Sequence, residues 1–139
     1  EMCIRDRLYA VERYPDRELL IFGGFGGRLD HMLANIFLLA HPRLLGQPIR
    51  FVNDRESAWL VSAAVPPGET RIDGRPGDTV SLLPLGGPAR VLATTGLRWL
   101  LQDEPLHFGP ARGVSNELIA PVATVRLGEG TVLCVHVAQ

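Results

Sequence analysis

The stretch Gly23-Gly24-Phe25-Gly26-Gly27-Arg28-Leu29-Asp30-His31 sets four glycines around one phenylalanine, then adds a guanidinium, a carboxylate and an imidazole. Glycine lets backbone approach a bulky ligand closely. A glycine-rich turn into a helix also aims N–H groups at an anion, where the helix dipole adds a favourable partial charge. Gly26, Gly27 and Arg28 are therefore candidates for holding a phosphate, and Asp30 for a metal ion or a hydroxyl, a pairing suited to phosphoryl transfer. The same residues suit a tight structural turn, with Asp30 merely complementing the macrodipole. Two named phosphate motifs do not match. A dinucleotide fingerprint counted from Gly24 meets Leu29 where its third glycine belongs, and a P-loop requires lysine. The chain has no lysine; all 14 Lys and Arg positions are arginine. Lysine phosphate grips, Schiff bases and general bases are thereby excluded.

A second group lies between Thr94 and Glu117, in TTGLRWLL…LHFGPARGVSNE. Trp99 is either a core residue or a face on which a flat or cationic ring can stack. Ser115 and Asn116 make either an ordinary turn or a small polar edge that reads a heterocycle. Glu117 stands where a nucleophile elbow needs its last glycine, so that motif is absent. No two histidines or cysteines share metal-ligand spacing, which argues against zinc. His41, His107 and His136 read as structural, and Asp103-Glu104 as a solvated turn.

The elements that must carry these groups follow from periodicity. Leu8 to Tyr14 suits the end of a helix closed by Pro15-Asp16, whereas Glu1 to Arg7 does not run smoothly into that pattern and carries no weight here. Glu18 to Phe22 is a short apolar run, as expected of a strand covered on both faces. Leu29, Met32, Leu33, Ile36, Phe37 and Ala40 recur at helical spacing. Leu38 and Leu39 extend the apolar surface nearly all round, which predicts a buried helix. Arg28, His31 and Asn35 share its other face. IRFVND and SAWLV read as further strands, so this part follows βαβ logic with a parallel sheet. From AAVPPGE onward, prolines and glycines punctuate short β-rich runs, as in a small sandwich or barrel. Gly128-Glu129-Gly130 reads as a hairpin loop. The expected organisation is α/β then all-β: an α/β part over residues 1–66, and a small β-sandwich over residues 67–139.

Composition narrows the function. With 139 residues, a net charge of −1 and 46% apolar residues, the chain can bury a core, and it lacks the basic block expected of a nucleic-acid binder. Its apolar runs are far shorter than the ~20 residues of a membrane span. It opens with no secretory pattern, and Cys3 and Cys134 do not form a disulfide framework; both features suggest a cytoplasmic protein.

Three blocks carry a family resemblance. Gly23 to Leu39 (GGFGGRLDHMLANIFLL) resembles the GGxGGRxDHxLAN block of thiamine diphosphokinases, also called thiamine pyrophosphokinases. Gly77 to Gly87 (GDTVSLLPLGG) resembles the strand that opens the family's second domain. TTGLRWLL…GVSNE resembles its closing motif, in which Gly-Leu-x-Trp is followed by Ser-Asn. The blocks occur in the family's order, and the resemblance runs from about Leu8 to the end of the chain. It implies Mg2+-dependent transfer of a diphosphoryl group from the co-substrate ATP to thiamine. It also implies a partial α/β catalytic domain followed by a β-sandwich thiamine-binding domain, and a homodimer with sites at the interface. Matched residue by residue, Arg28 and Asp30 take the catalytic block, with Asp30 a possible metal ligand. Trp99, Ser115 and Asn116 take the thiamine-binding segment. The family's earlier acidic motifs, which supply most magnesium ligands, have no counterpart here, so the chain is expected to be an amino-terminally truncated form, inactive alone. The alternative is a non-catalytic thiamine-binding or dimerisation module.

Overall fold

The computed structural model describes residues 2–139; Glu1 and the Cys3 thiol lie outside its described residues and side chains. Helix α1 (Met2–Arg13) leads into β1 (Leu19–Phe22), the glycine loop and helix α2 (Leu29–Leu38). Strands β2 (Ile49–Val52), β3 (Glu56–Ser62), β4 (Glu69–Asp73), β5 (Thr79–Pro84) and β6 (Ala89–Thr95) follow. The chain closes with β7 (Gln102–Leu106), β8 (Asn116–Glu117), β9 (Val122–Glu129) and β10 (Thr131–Val137). Helix α1 is continuous from Met2, so Arg5 to Arg7 join the helical pattern they had been set apart from.

The fold is mostly β, with two sheets: a six-stranded one in the order β1-β2-β3-β10-β5-β8 and a four-stranded one in the order β4-β9-β6-β7. Alternation along β10 shows how the layers stack. Val132 and Cys134 point into a core shared with Ile72, Val91 and Val125 of the smaller sheet. Leu133 and Val135 point the other way, into a core with Phe51, Leu39 and Ile36. The large sheet is thus covered by helices on one face and by the small sheet on the other, because its central strand is apolar at both parities. It continues across Pro66-Pro67: β3 pairs antiparallel with β10 from Glu56↔Val137 to Ser62↔Thr131.

Several expectations are corrected. Of the strand pairs, β1–β2 is parallel, as the βαβ reading requires, and the rest are antiparallel. β1 is an edge strand with Leu20 and Phe22 exposed, so it is not covered on both faces. Helix α2 has no buried residue. Leu29, Leu33 and Phe37 form an exposed apolar stripe, with Phe37 56% exposed; α2 packs through Ile36 and Leu38 instead. Gly128-Glu129-Gly130 is not a hairpin loop either. β9 belongs to the small sheet and β10 to the large one, so the turn is the corner between layers. Gly130 has φ +77°, and a Cβ there would lie 2.5 Å from the Pro88 carbonyl; the corner needs glycine. Asp103-Glu104 lie within β7, paired to β6, rather than in a free turn.

Cys134 is fully buried and its thiol is free. Burial pushes its pKa up to about 12, against a smaller opposing pull from Arg50. In a Cys3→Ser chain, iodoacetamide at pH 8 should leave Cys134 unmodified in the folded state and label it after denaturation. Labelling at equal rates in both states would contradict this packing.

Candidate functional site

The glycine loop leaves β1 and enters α2 over the large sheet. Gly23, Gly26 and Gly27 take φ of +73°, +98° and +80°, a region that costs other residues strain. Gly24 is needed for space: a Cβ there would lie 2.3 Å from the Phe51 ring. Phe25 anchors the loop, its ring 5.6 Å from that of Phe51. The loop is therefore pinned at Phe25 and exposed at Gly26, Gly27 and Arg28. A cleft opens beside it, lined by Phe25, Gly26, Met32, Asn53, Glu56 and Val135.

Arg28 is the N-cap residue of α2 and gives no side-chain cap. Its guanidinium instead grips Asp30 with two bonds, Nε to Oδ1 at 3.1 Å and an Nη to Oδ2 at 2.5 Å. Asp30 Oδ1 also accepts the His31 backbone N–H at 3.0 Å. The Arg28 guanidinium, as the main cause, holds the Asp30 carboxyl below the usual carboxylate value. Asp30 thus folds back onto Arg28. Asn35 does not join them. Its side chain accepts a 2.7 Å bond from Arg7 on α1, which ties the two helices together.

The second group behaves differently from either simple reading. Trp99 is 54% exposed, whereas Trp59 is 6% exposed and fills the core. Large exposed indoles are unusual, yet this one has a fixed backbone. Asn116 is buried, accepts the Trp99 backbone N–H at 3.1 Å and donates to the Trp99 carbonyl at 2.7 Å. The Asn116 amide is committed to holding the tryptophan and does not stand open to read a heterocycle. Ser115 is exposed, with φ +61°, and its N–H donates to Ser81 Oγ. Arg98 lies over the Trp99 ring at 5.8 Å and donates to Glu117 at 2.9 Å; sequence reasoning gave Arg98 no role and read Glu117 only as breaking an elbow motif. Gly96 sets the bend before Trp99. It has φ +72°, and a Cβ there would lie 2.2 Å from the Val122 carbonyl.

Among the described residues, no hydrogen bond or ion pair joins Arg28 or Asp30 to Trp99, Ser115 or Asn116. The strands that carry the two groups, β1 and β8, are opposite edges of the large sheet, about 24 Å apart at ~4.8 Å per strand interval.

Comparison with known proteins comes to the same segment. The family described as "Thiamin pyrophosphokinase, vitamin B1 binding domain" matches residues 69–132. The thiamine pyrophosphokinase of Bacillus subtilis is 30% identical over 129 residues, 92% of this chain and 58% of that protein. Thiamine pyrophosphokinase 1 of Oryza sativa is 33% identical over 110 residues, 78% of this chain and 40% of that protein. The crystal structure of the Bacillus subtilis protein superposes with a TM-score of 0.81 at 27% identity, covering 94% of this chain and 60% of that one. The chain thus spans about half the length of the curated relatives it matches.

Replacing Asn116 with alanine removes both bonds to Trp99 and leaves part-buried backbone groups without those partners. It should cost about 1–3 kcal/mol of stability in chemical denaturation and raise the rotational freedom of Trp99 in fluorescence anisotropy. Unchanged anisotropy would show that the indole is held by something else.

Proposed function

We propose that this chain, which is similar to thiamine pyrophosphokinases over most of its length and matches their vitamin B1 binding domain over residues 69–132, belongs to that family and serves the transfer of a diphosphoryl group from ATP to thiamine, giving thiamine diphosphate and AMP. One observation carries this reading: an exposed indole, Trp99, whose backbone is locked by the buried Asn116, inside the segment that the vitamin B1 binding domain matches. A fixed, solvent-facing indole suits the positively charged thiazolium of thiamine, because ring faces attract cations and a held ring loses little entropy on binding. Ser115, exposed beside it, offers a hydroxyl to the same ligand.

The glycine loop is assigned to the polyphosphate of ATP. Its backbone N–H groups and the uncapped start of α2 provide donors, and Arg28 provides charge. The pairing with Asp30 holds the guanidinium in place before binding. An exposed ion pair exchanges readily, so a phosphate oxygen can take over an Arg28 donor while Asp30 turns to orient the thiamine hydroxyl. Mg2+ fits less well. Among the described residues no group of three His, Cys, Asp or Glu could hold a metal. These residues alone do not complete the oxygen set Mg2+ requires.

We assign the α/β part, residues 1–66, to the nucleotide and the β part, residues 67–139, to thiamine. With the two groups on opposite edges of one sheet, the working site is taken to combine the loop of one copy with the tryptophan of another in a homodimer. The exposed stripe Leu29, Leu33 and Phe37 supports association. The free, buried Cys134 suits a reducing cytoplasm. Among the described residues, no helix is long and apolar enough to cross a membrane.

Calorimetric titration of thiamine into the chain tests the reading. Trp99→Ala should weaken binding roughly 5- to 30-fold, from the loss of about 1–2 kcal/mol of cation–ring attraction, while Arg28→Ala should leave it unchanged. Equal affinity in the Trp99→Ala chain would remove the observation on which the proposal rests.

A further inference from the structure

Among the described residues, the contact of Asp78 with His136 lies deeper than the arginine–carboxylate pairs Arg28–Asp30, Arg50–Glu18, Arg71–Asp73, Arg90–Asp103, Arg98–Glu117 and Arg112–Glu104. Asp78 and His136 side chains are 5% and 15% exposed, with His136 Nε2 and Asp78 Oδ2 2.8 Å apart. The carboxylate cannot donate, so the ring N–H does. Asp78 Oδ2 also accepts the Arg75 backbone N–H at 2.9 Å, and Oδ1 accepts that of Gln139 at 3.1 Å. Burial alone would raise the Asp78 pKa, but these N–H groups and His136 together bring it below the usual carboxylate value. The space is closed on the remaining side. A Cβ on Gly74 would lie 2.7 Å from Asp78 Oδ2, 2.7 Å from Leu118 Cδ1 and 2.8 Å from His136 Nε2.

The backbone around this pair leads to Trp99. The Asp78 carbonyl accepts from Leu118 N at 2.8 Å, and Gly77 N donates to the Leu118 carbonyl at 2.8 Å. On either side of Leu118, Glu117 accepts from Arg98 N at 2.9 Å and Ile119 N donates to the Gly96 carbonyl at 2.9 Å. Gly96 to Arg98 is the stretch that delivers Trp99, and Glu117 follows Asn116. β8 is only two residues long, Asn116–Glu117, and has β5 as its one strand partner. So short an edge strand needs support from elsewhere.

We propose that Asp78 and His136 form a buried clamp that positions the Trp99 segment for its ligand, by fixing the Arg75–Asp78 turn against Leu118. The clamp rests on the thiamine-binding reading for its ligand but not for its geometry. Both residues are positioning residues: they act through Leu118 and Asn116 and touch no substrate. The clamp also joins the end of β10 to the start of β5, so the sheet's central strand is tied to the ligand-bearing edge.

Amide exchange by NMR, with thiamine titration, tests this on the full chain. His136→Leu leaves the buried carboxylate without its partner. Exchange at Arg98, Trp99, Leu118 and Ile119 should rise about tenfold or more relative to Val125 and Leu127 in β9, and thiamine affinity should fall in parallel. His136→Gln, whose amide nitrogen can take the Nε2 position, should restore most of both. Exchange unchanged at the four amides, or raised equally in β9, overturns the clamp, since the latter reports only general destabilisation. If the wild-type chain binds no thiamine while His136→Leu still raises exchange at the four amides alone, the clamp is supported and the thiamine reading is refuted.

Discussion

Strand β10 is hydrogen-bonded along both sides, to β3 from Thr131 to Val137 and to β5 from Val132 to Val137, and the placement of everything else depends on that double pairing. It makes one sheet of the elements before Pro66 and those after it. It also decides which layers exist: alternate residues serve the inter-sheet core and the helical core, and neither can form if the register slips by one position. Residues that chemistry would want together are consequently set at opposite edges of a continuous, hydrogen-bonded surface. A stiff sheet holds them apart, which is why we look to a second copy rather than to a hinge to unite them.

The two candidate regions are built on different physical plans. At the glycine loop, freedom comes from positive-φ backbone and restraint from a single aromatic anchor, Phe25 on Phe51. That plan suits an anion whose oxygens are met by many weak donors. At Trp99 the restraint is polar. A buried amide grips the backbone, and the side chain is left outside. This plan suits a flat ring that needs one face at a fixed angle. Placing Asn116 inside and Trp99 outside inverts the usual preference of both residue types, and the inversion is stable because each Asn116 polar atom has a backbone partner.

Much of this was legible in the sequence, for reasons that can be traced. Helix α2 and strands β1 to β6 announce themselves by period and by flanking glycine or proline. Which side of α2 is covered was not legible, because Leu29, Leu33 and Phe37 have the same spacing whether they meet a core or solvent. β7 was hidden because Gln-Asp-Glu-Pro has low strand propensity; pairing with β6 overrides it. The corner at Gly128 to Gly130 was misread because a glycine turn between two strands looks alike whether they share a sheet or not. Trp99 could be singled out, but the task of Asn116 could not, since its partner is 17 positions away. Asp78 and His136 are 58 apart and join only once β5 and β10 lie side by side. Local signals fix local structure; long-range polar contacts need the fold first.

The account turns on the two groups being separate within one copy and joined between two. The most direct measurement mixes two subunits that span the full length of the relatives, one carrying Arg28→Ala and the other Trp99→Ala, and follows formation of thiamine diphosphate from ATP and thiamine. Each variant alone should be nearly inactive, and the equilibrated mixture should regain about a quarter of the wild-type rate, because half the dimers are mixed and each mixed dimer has one intact site. A mixture as inactive as its components would contradict it.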